Sequence, residues 1–362
     1  MARTPQANGK AIAAWCWPVR ARKLVSRVIP MLLALPLGEA REVELASTTR
    51  AAVHAAREGG VLPQFPHLRT TDTLGALLSH PAFRGFGPRL LPWDGRAYDA
   101  AMPLADIAQL LPYHSEVKPG VVVGALNRMV DDTNAGHTVF YDFHTEGEKL
   151  ANPALRHTGL FFFRGKPGAP FAVIAPGGGF AYVGSVHEGF PYAQAISQQE
   201  LNAFVLKYRA GEGGRVATED LATAVSYIFQ NASALQVSTA GYSLWGSSAG
   251  ARMAAAIGSH GTASFGGQRL PKPSVVVMAY TSHAEVTTSE PPTFVVVGER
   301  DGIAPPAAMA TRVNALRRIG TPVEFHTYPG VAHGFGTGQG TPAQGWVEHA
   351  TQFWQQQLRK TP

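Results

Sequence analysis

Three side chains in the second half of the chain, Ser248, Asp301 and His333, are of the types that turn a hydroxyl into a nucleophile. A serine attacks poorly until a base takes its proton, and that base must be held in one orientation by a third group. Acyl transfer through a covalent acyl-enzyme is the chemistry such a trio performs. Ser248 is the centre of Gly246-Ser247-Ser248-Ala249-Gly250, which reads G-x-S-x-G and joins an apolar, strand-like segment to an Ala-rich helix. A nucleophile on a sharp strand-to-helix turn occupies strained backbone, and small residues two positions to either side relieve the crowding. The new helix points its first free N–H groups back at the site. Ser247 cannot substitute, because its neighbours at that spacing are Trp245 and Ala249. By itself the pattern is weak evidence in a chain with 39 glycines, since a serine-rich helix start would spell the same string. The glycine spacing from Gly241 also resembles a phosphate-binding loop, but Ser247 stands where that motif needs lysine.

Reactive groups of open parallel sheets gather beyond the carboxyl ends of the strands, so the acid and the base are sought just after later strands. Asp301 follows the strand-like run 293–297 through Gly298-Glu299-Arg300 and leads into Gly302-Ile303-Ala304-Pro305-Pro306. Glu299 is the rival carboxylate, and a turn or helix-cap aspartate is the bland alternative. His333 follows the run 323–328 inside Pro329-Gly330-Val331-Ala332-His333-Gly334-Phe335, where flanking glycines permit a tight loop. His326 lies within that strand, and His283 precedes Asp301 in the chain.

Acyl transfer also needs donors for a developing oxyanion. Pro176-Gly177-Gly178-Gly179 follows the second strand before the nucleophile strand, and consecutive glycines leave their N–H groups unshielded. Gly178 and Gly179 are assigned as donors, with Ala249 N–H as the third; a flexible glycine turn is the alternative. A dinucleotide reading fails, because Tyr182 occupies the last glycine position of G-x-G-x-x-G. No metal is expected, since no His, Asp or Glu cluster has a spacing such as H-E-x-x-H.

The elements that must position these groups are legible as alternation. Strands are expected at 139–143, 160–163, 171–175, 203–208, 275–279, 293–297 and 323–328, and helices at 190–199, 218–230, 305–319 and 344–358, besides the strand and helix around Ser248. The pattern implies a mostly parallel sheet with helices on both faces. Residues 41–136 are broken by prolines and glycines, with helices expected at 104–111 and 121–132. They read as a mainly helical or irregular accessory segment, a cap or brace, ahead of a catalytic domain at 137–362. The segment's aromatics Phe83, Phe86, Trp93, Tyr98 and Tyr113 either line a cleft or pack on the core, and packing is favoured.

Composition bounds the rest. With 362 residues, 45% apolar and 15% charged, the chain can bury a large core. Eight Lys/Arg and three Glu in residues 1–50 give +5 of the net +6, so the body is almost neutral and nucleic acid is not an expected partner. The lone cysteine, Cys16, lies in that leader, which leaves the body without disulfide or thiolate chemistry. Residues 1–40 read as a leader for export to the periplasm or beyond: Arg20, Arg22, Lys23 and Arg27 precede an apolar run at 28–37 that is too short to span a bilayer.

Residues 138–358 resemble α/β-hydrolase carboxylesterases, closest to the bacterial acetylxylan and feruloyl esterase-like group. The resemblance rests on P-G-G-G-F at 176–180, G-S-S-A-G at 246–250, G-E-R-D-G-I-A-P-P at 298–306 and G-V-A-H-G-F at 330–335. The order Ser248, Asp301, His333 is the α/β-hydrolase order. Pro176 departs from the hormone-sensitive branch, which carries histidine there. The resemblance implies ester hydrolysis without a cofactor and does not fix the ester, small or polymeric. Phe180, Tyr182, Tyr280 and Ile303 adjoin the motif residues in sequence and either form an apolar acyl and alcohol pocket or simply pack in the core. Two alternatives stay open: a serine peptidase of the prolyl-oligopeptidase type, whose propeller the segment before the core is too short to form, and a catalytically silent fold used for binding.

Overall fold

The computed structural model describes residues 64–360; the basic leader, Cys16 and the start of the accessory segment lie outside the described residues. Residues 64–139 form short elements: α1 (Leu74–Ser79), several 3-10 turns and α2 (Pro119–Asn134). The stretch 104–111 forms a 3-10 segment, Leu104–Leu110, in place of the expected α-helix. It lies between Pro103 and Pro112, which bound it at both ends. α2 begins at Pro119, where a missing N–H costs nothing.

Then the alternation begins. β1 (Phe140–Tyr141), α3 (Glu146–Ala151), β2 (Gly159–Phe163) and β3 (Pro170–Ala175) lead to a buried π-helical turn, Ser185–Gly189. There follow α4 (Phe190–Gln198), β4 (Asn202–Lys207), α5 (Gly213–Gln230), the one-turn α6 (Ala232–Leu235), β5 (Ser238–Ser247) and α7 (Ala249–His260). β6 (Val275–Ala279), β7 (Thr293–Gly298), α8 (Pro306–Arg318), β8 (Val323–Tyr328) and α9 (Trp346–Lys360) complete the chain. α3 starts in a capping box, Thr145 and Glu148 satisfying each other's backbone N–H.

One eight-stranded sheet results, ordered β1-β2-β4-β3-β5-β6-β7-β8. β2 runs antiparallel to β1 and β4, and every pair from β4 to β8 is parallel. The inner strands are continuous apolar runs buried on both faces, as helices on each side require. Each wholly buried Phe, Val or Leu side chain contributes about 1.5–3 kcal/mol. Residues 68–130 add their apolar side chains to the same core. Lys207, at the end of β4 and wholly buried, fastens this segment: its Nζ donates to Leu91 O and Pro92 O and pairs with Asp94 at 3.1 Å. Four of the five segment aromatics pack inward, with Phe86 stacked on Phe140, Trp93 tilted against Tyr182 and Tyr98 Oη bonded to the Trp93 backbone, while Tyr113 stays 46% exposed. Among the described residues no helix is long and apolar enough to cross a membrane.

Candidate active site

The turn between β5 and α7 carries Ser248 at φ 50° and ψ −112°, a region that a side chain occupies only under constraint. The constraint is close packing. A methyl on Gly246 would lie 2.3 Å from Gly250 C, and one on Gly250 would lie 1.8 Å from Ala175 O. Only glycine fits either place, so the turn is as tight as the spacing implied. Ser248 N–H donates to Ala279 O at 2.9 Å, which ties the turn to β6. Ser247 faces the core instead, wholly buried with its hydroxyl bonded to Tyr192 Oη.

Asp301 and His333 arrive from the loops after β7 and β8. Ser248 Oγ lies 3.0 Å from His333 Nε2, and His333 Nδ1 lies 2.8 Å from Asp301 Oδ2. Asp301 Oδ1 accepts the N–H groups of Ile303 and Ala304 at 2.9 and 2.7 Å, which fixes the carboxylate plane. The two loops are stitched by Arg300 N–H to Val331 O at 2.9 Å. Asp301 and His333 are buried and Ser248 is half-buried, so the serine end of this hydrogen-bonded trio is the end that reaches solvent. Of the rivals, Glu299 is exposed, His326 sits in β8 against Glu324, and His283 lies in the loop after β6.

The glycine loop lies beside the serine. A methyl on Gly177 would lie 3.0 Å from Ser248 Cβ. Gly177 N–H is consumed by Glu188 Oε2 at 2.6 Å. Gly178 at φ 133° and Gly179 at φ 64° turn the next peptides, and among the described residues neither N–H has a backbone or side-chain acceptor. Ala249, as the first residue of α7, has an N–H without an intrahelical partner.

This arrangement, a parallel sheet in the order β4-β3-β5-β6-β7-β8 with serine on the β5–α7 elbow and acid and histidine after β7 and β8, decides the fold. The chain has the α/β-hydrolase fold. Within it, residues 266–361 match the prolyl oligopeptidase family, a stretch that includes Asp301 and His333 but stops short of Ser248. No curated protein matches the chain in sequence. Among solved structures it is similar to an alpha/beta hydrolase enzyme from a Medee basin deep-sea metagenome library, at 23% identity and TM-score 0.48 over 56% of this chain and 93% of that one. An acetyl ester-xyloside bifunctional hydrolase from Caldicellulosiruptor lactoaceticus is 19% identical, with TM-score 0.49 over 55% of this chain and 88% of that one. A carboxylesterase from Lactobacillus plantarum WCFS1 is 19% identical, with TM-score 0.49 over 55% and 92%.

The expected pocket residues divide. Ile303 is 58% exposed beside Asp301, and Phe180 is half-buried next to Gly179. Tyr182 and Tyr280 are wholly buried, the second of the two arrangements expected for them, ordinary packing. Adjacency to the motifs in sequence put them near the site, but their hydroxyls are spent on internal partners. Tyr182 Oη accepts Tyr113 N–H at 3.1 Å and meets His114 Nδ1 at 2.9 Å, while Tyr280 Oη donates to Glu188 Oε1 at 2.7 Å. Burial raises the Tyr280 phenol well above its ordinary range, and Glu188 adds to that. The sequence also gave no sign of His114, Ser115 and Glu188. Ser115 N–H donates to Gly334 O at 3.0 Å and Ser115 Oγ to His333 O at 2.8 Å, holding the histidine loop from the N-terminal side. Their separation from the motifs leaves no local pattern that could have pointed to them.

Proposed function

We propose that the protein is a serine carboxylesterase. The observation that carries this reading is the unbroken relay from Ser248 Oγ through His333 to Asp301, at 3.0 and 2.8 Å, on a strained elbow. With Nδ1–H directed at Asp301, His333 Nε2 is free to accept the Ser248 proton as Oγ attacks an ester carbonyl. The oxyanion meets Gly178, Gly179 and Ala249 N–H, and His333 then protonates the leaving alcohol. Water repeats the cycle against the acyl-enzyme and releases the acid. Asp301 keeps the imidazole in the useful tautomer and stabilises its charge. No step calls for a cofactor.

The exposed faces of Tyr113 and Ile303 flank the site and suit an apolar acyl or alcohol group, small or part of a polymer. The composition of residues 1–40 supports export, and residues 64–136, the described part of the accessory segment, serve as a brace for the catalytic domain. One observation favours a second reading: the match of residues 266–361 to the prolyl oligopeptidase family supports a serine peptidase using the same relay. Against it, the described residues before β1 form helices and turns rather than sheet. Turnover of an ester and an amide with the same acyl group separates the two. The esterase reading expects ester turnover to dominate and Ser248→Ala or His333→Ala to lower kcat by roughly 10⁴–10⁶-fold. Preferred amide turnover by the parent, or near-parental ester rates in either variant, overturns it.

A further inference from the structure

The reaction proposed above leaves unused a set of buried polar side chains between the glycine loop and the histidine loop. Its centre is Glu188, wholly buried in the π-helical turn Ser185–Gly189, a turn whose extra residue breaks the regular helical register. The carboxylate has partners from three separate segments: Gly177 N–H at 2.6 Å, Tyr280 Oη at 2.7 Å and His114 Nε2 at 3.0 Å. The His114 and Glu188 side chains are 2% and 0% exposed.

We propose that Glu188 is a positioning residue for the reaction at Ser248, its carboxylate locking the glycine loop and the ring behind His333 into one register. The inference rests on the serine-hydrolase reading of that site. Glu188 does not touch substrate itself, because its side chain is wholly buried and bonded to the Gly177 peptide. A buried ion pair is poor evidence for stability, since apolar groups of the same volume often do as well or better. Its geometry is what distinguishes this one. Fixing Gly177 N–H sets the direction of the two peptides that follow, whose N–H groups are the oxyanion donors. Fixing Tyr280, itself at φ 37°, holds its ring edge-on to the His333 imidazole, 5.1 Å between centroids. His114 anchors the carboxylate, and the next residue, Ser115, bonds the backbone of His333 and Gly334. One carboxylate therefore joins the donors, the base and the N-terminal segment. Burial alone would raise its pKa, but the field and hydrogen bond of His114, with His187 and Tyr280, outweigh burial and hold it down at about 2, so it stays charged.

The test uses the full chain, p-nitrophenyl acetate and thermal melting of each variant. Glu188→Gln keeps the shape but places a donor where an acceptor is needed, so it cannot serve all three partners. The expected result is a folded protein with kcat about 10²-fold lower and KM within about threefold, because donors displaced by an ångström fail only in the transition state. Tyr280→Phe, which removes one of the three bonds, is expected to lower kcat about 5- to 10-fold, again with KM held. A folded Glu188→Gln protein with kcat within twofold of the parent overturns the proposal, even if it melts earlier. If Glu188→Gln does not fold, Tyr280→Phe decides: lowered kcat at constant KM supports positioning, and parental kcat overturns it. A parent that hydrolyses no ester and is not labelled at Ser248 by a fluorophosphonate overturns the underlying reading, a failure seen before any variant is made.

Discussion

Asp301→Asn isolates the orienting role of the carboxylate, because the surroundings dictate how an amide must sit. Oδ1 receives two backbone N–H groups, from Ile303 and Ala304 at 2.9 and 2.7 Å, while Oδ2 faces His333 Nδ1 at 2.8 Å. An asparagine has one acceptor end, and the two N–H groups claim it. Its NH₂ group is then forced toward Nδ1, which must become an acceptor, so the imidazole proton moves to Nε2. That nitrogen lies 3.0 Å from Ser248 Oγ and is the one required to take the serine proton. The base is thus already protonated on the wrong side. The same tautomer trap in serine proteases lowers kcat by about 10⁴-fold, which corresponds to roughly 5.4 kcal/mol of barrier. Stability changes much less, by about 1 kcal/mol, since both N–H bonds to the loop survive. Initial rates on p-nitrophenyl acetate with a thermal melt of the same sample measure both. A folded Asp301→Asn protein within tenfold of the parental kcat would refute the tautomer argument.

Two further predictions concern stability. Gly250→Ala places a methyl 1.8 Å from a β3 carbonyl oxygen, so it should cost more than about 4 kcal/mol or prevent soluble expression, and a urea midpoint near the parent's contradicts the elbow packing. Acid should destabilise the fold in two stages. Burial, reinforced by His114, pushes the His187 imidazole down to about 4, and burial with nearby arginines does the same to His283. The unfolded chain protonates these groups near 6.5 while the folded chain does not. Stability therefore falls as pH drops from 6.5 to 4, by about 3 kcal/mol for His187 alone. Glu188, held at about 2, contributes fully above about 4.5 and loses that contribution between about 4.5 and 2. Urea midpoints across pH 7 to 3 test this, and His187→Gln should flatten the first stage.

What the sequence disclosed and what it hid follow physical lines. The β-branched strands expected at 275–279 and 293–297 appear essentially as read, because two-sided burial writes itself as a continuous apolar run. Ser248, Asp301 and His333 come together because each sits where strand-end chemistry and turn residues coincide locally. α5 begins at Gly213, five residues before the expected start, since Gly213-Gly214 are poor helix formers whose place is set by the Phe180 ring packed against Gly214. Tertiary contact overrode propensity there. The π-helical turn at Ser185–Gly189 and the inward-facing Glu188 left no periodic trace. A buried carboxylate is improbable on composition and becomes acceptable only through His114, 74 positions earlier in the chain.

The central claim is that Ser248 forms the covalent intermediate. Intact-protein and peptide mass spectrometry after treatment with a fluorophosphonate, alongside loss of ester turnover, tests it most directly. The account predicts one adduct per chain, on Ser248, rising in step with inactivation and absent from Ser248→Ala. Inactivation with the adduct elsewhere, or full ester turnover by a chain labelled at Ser248, would contradict it.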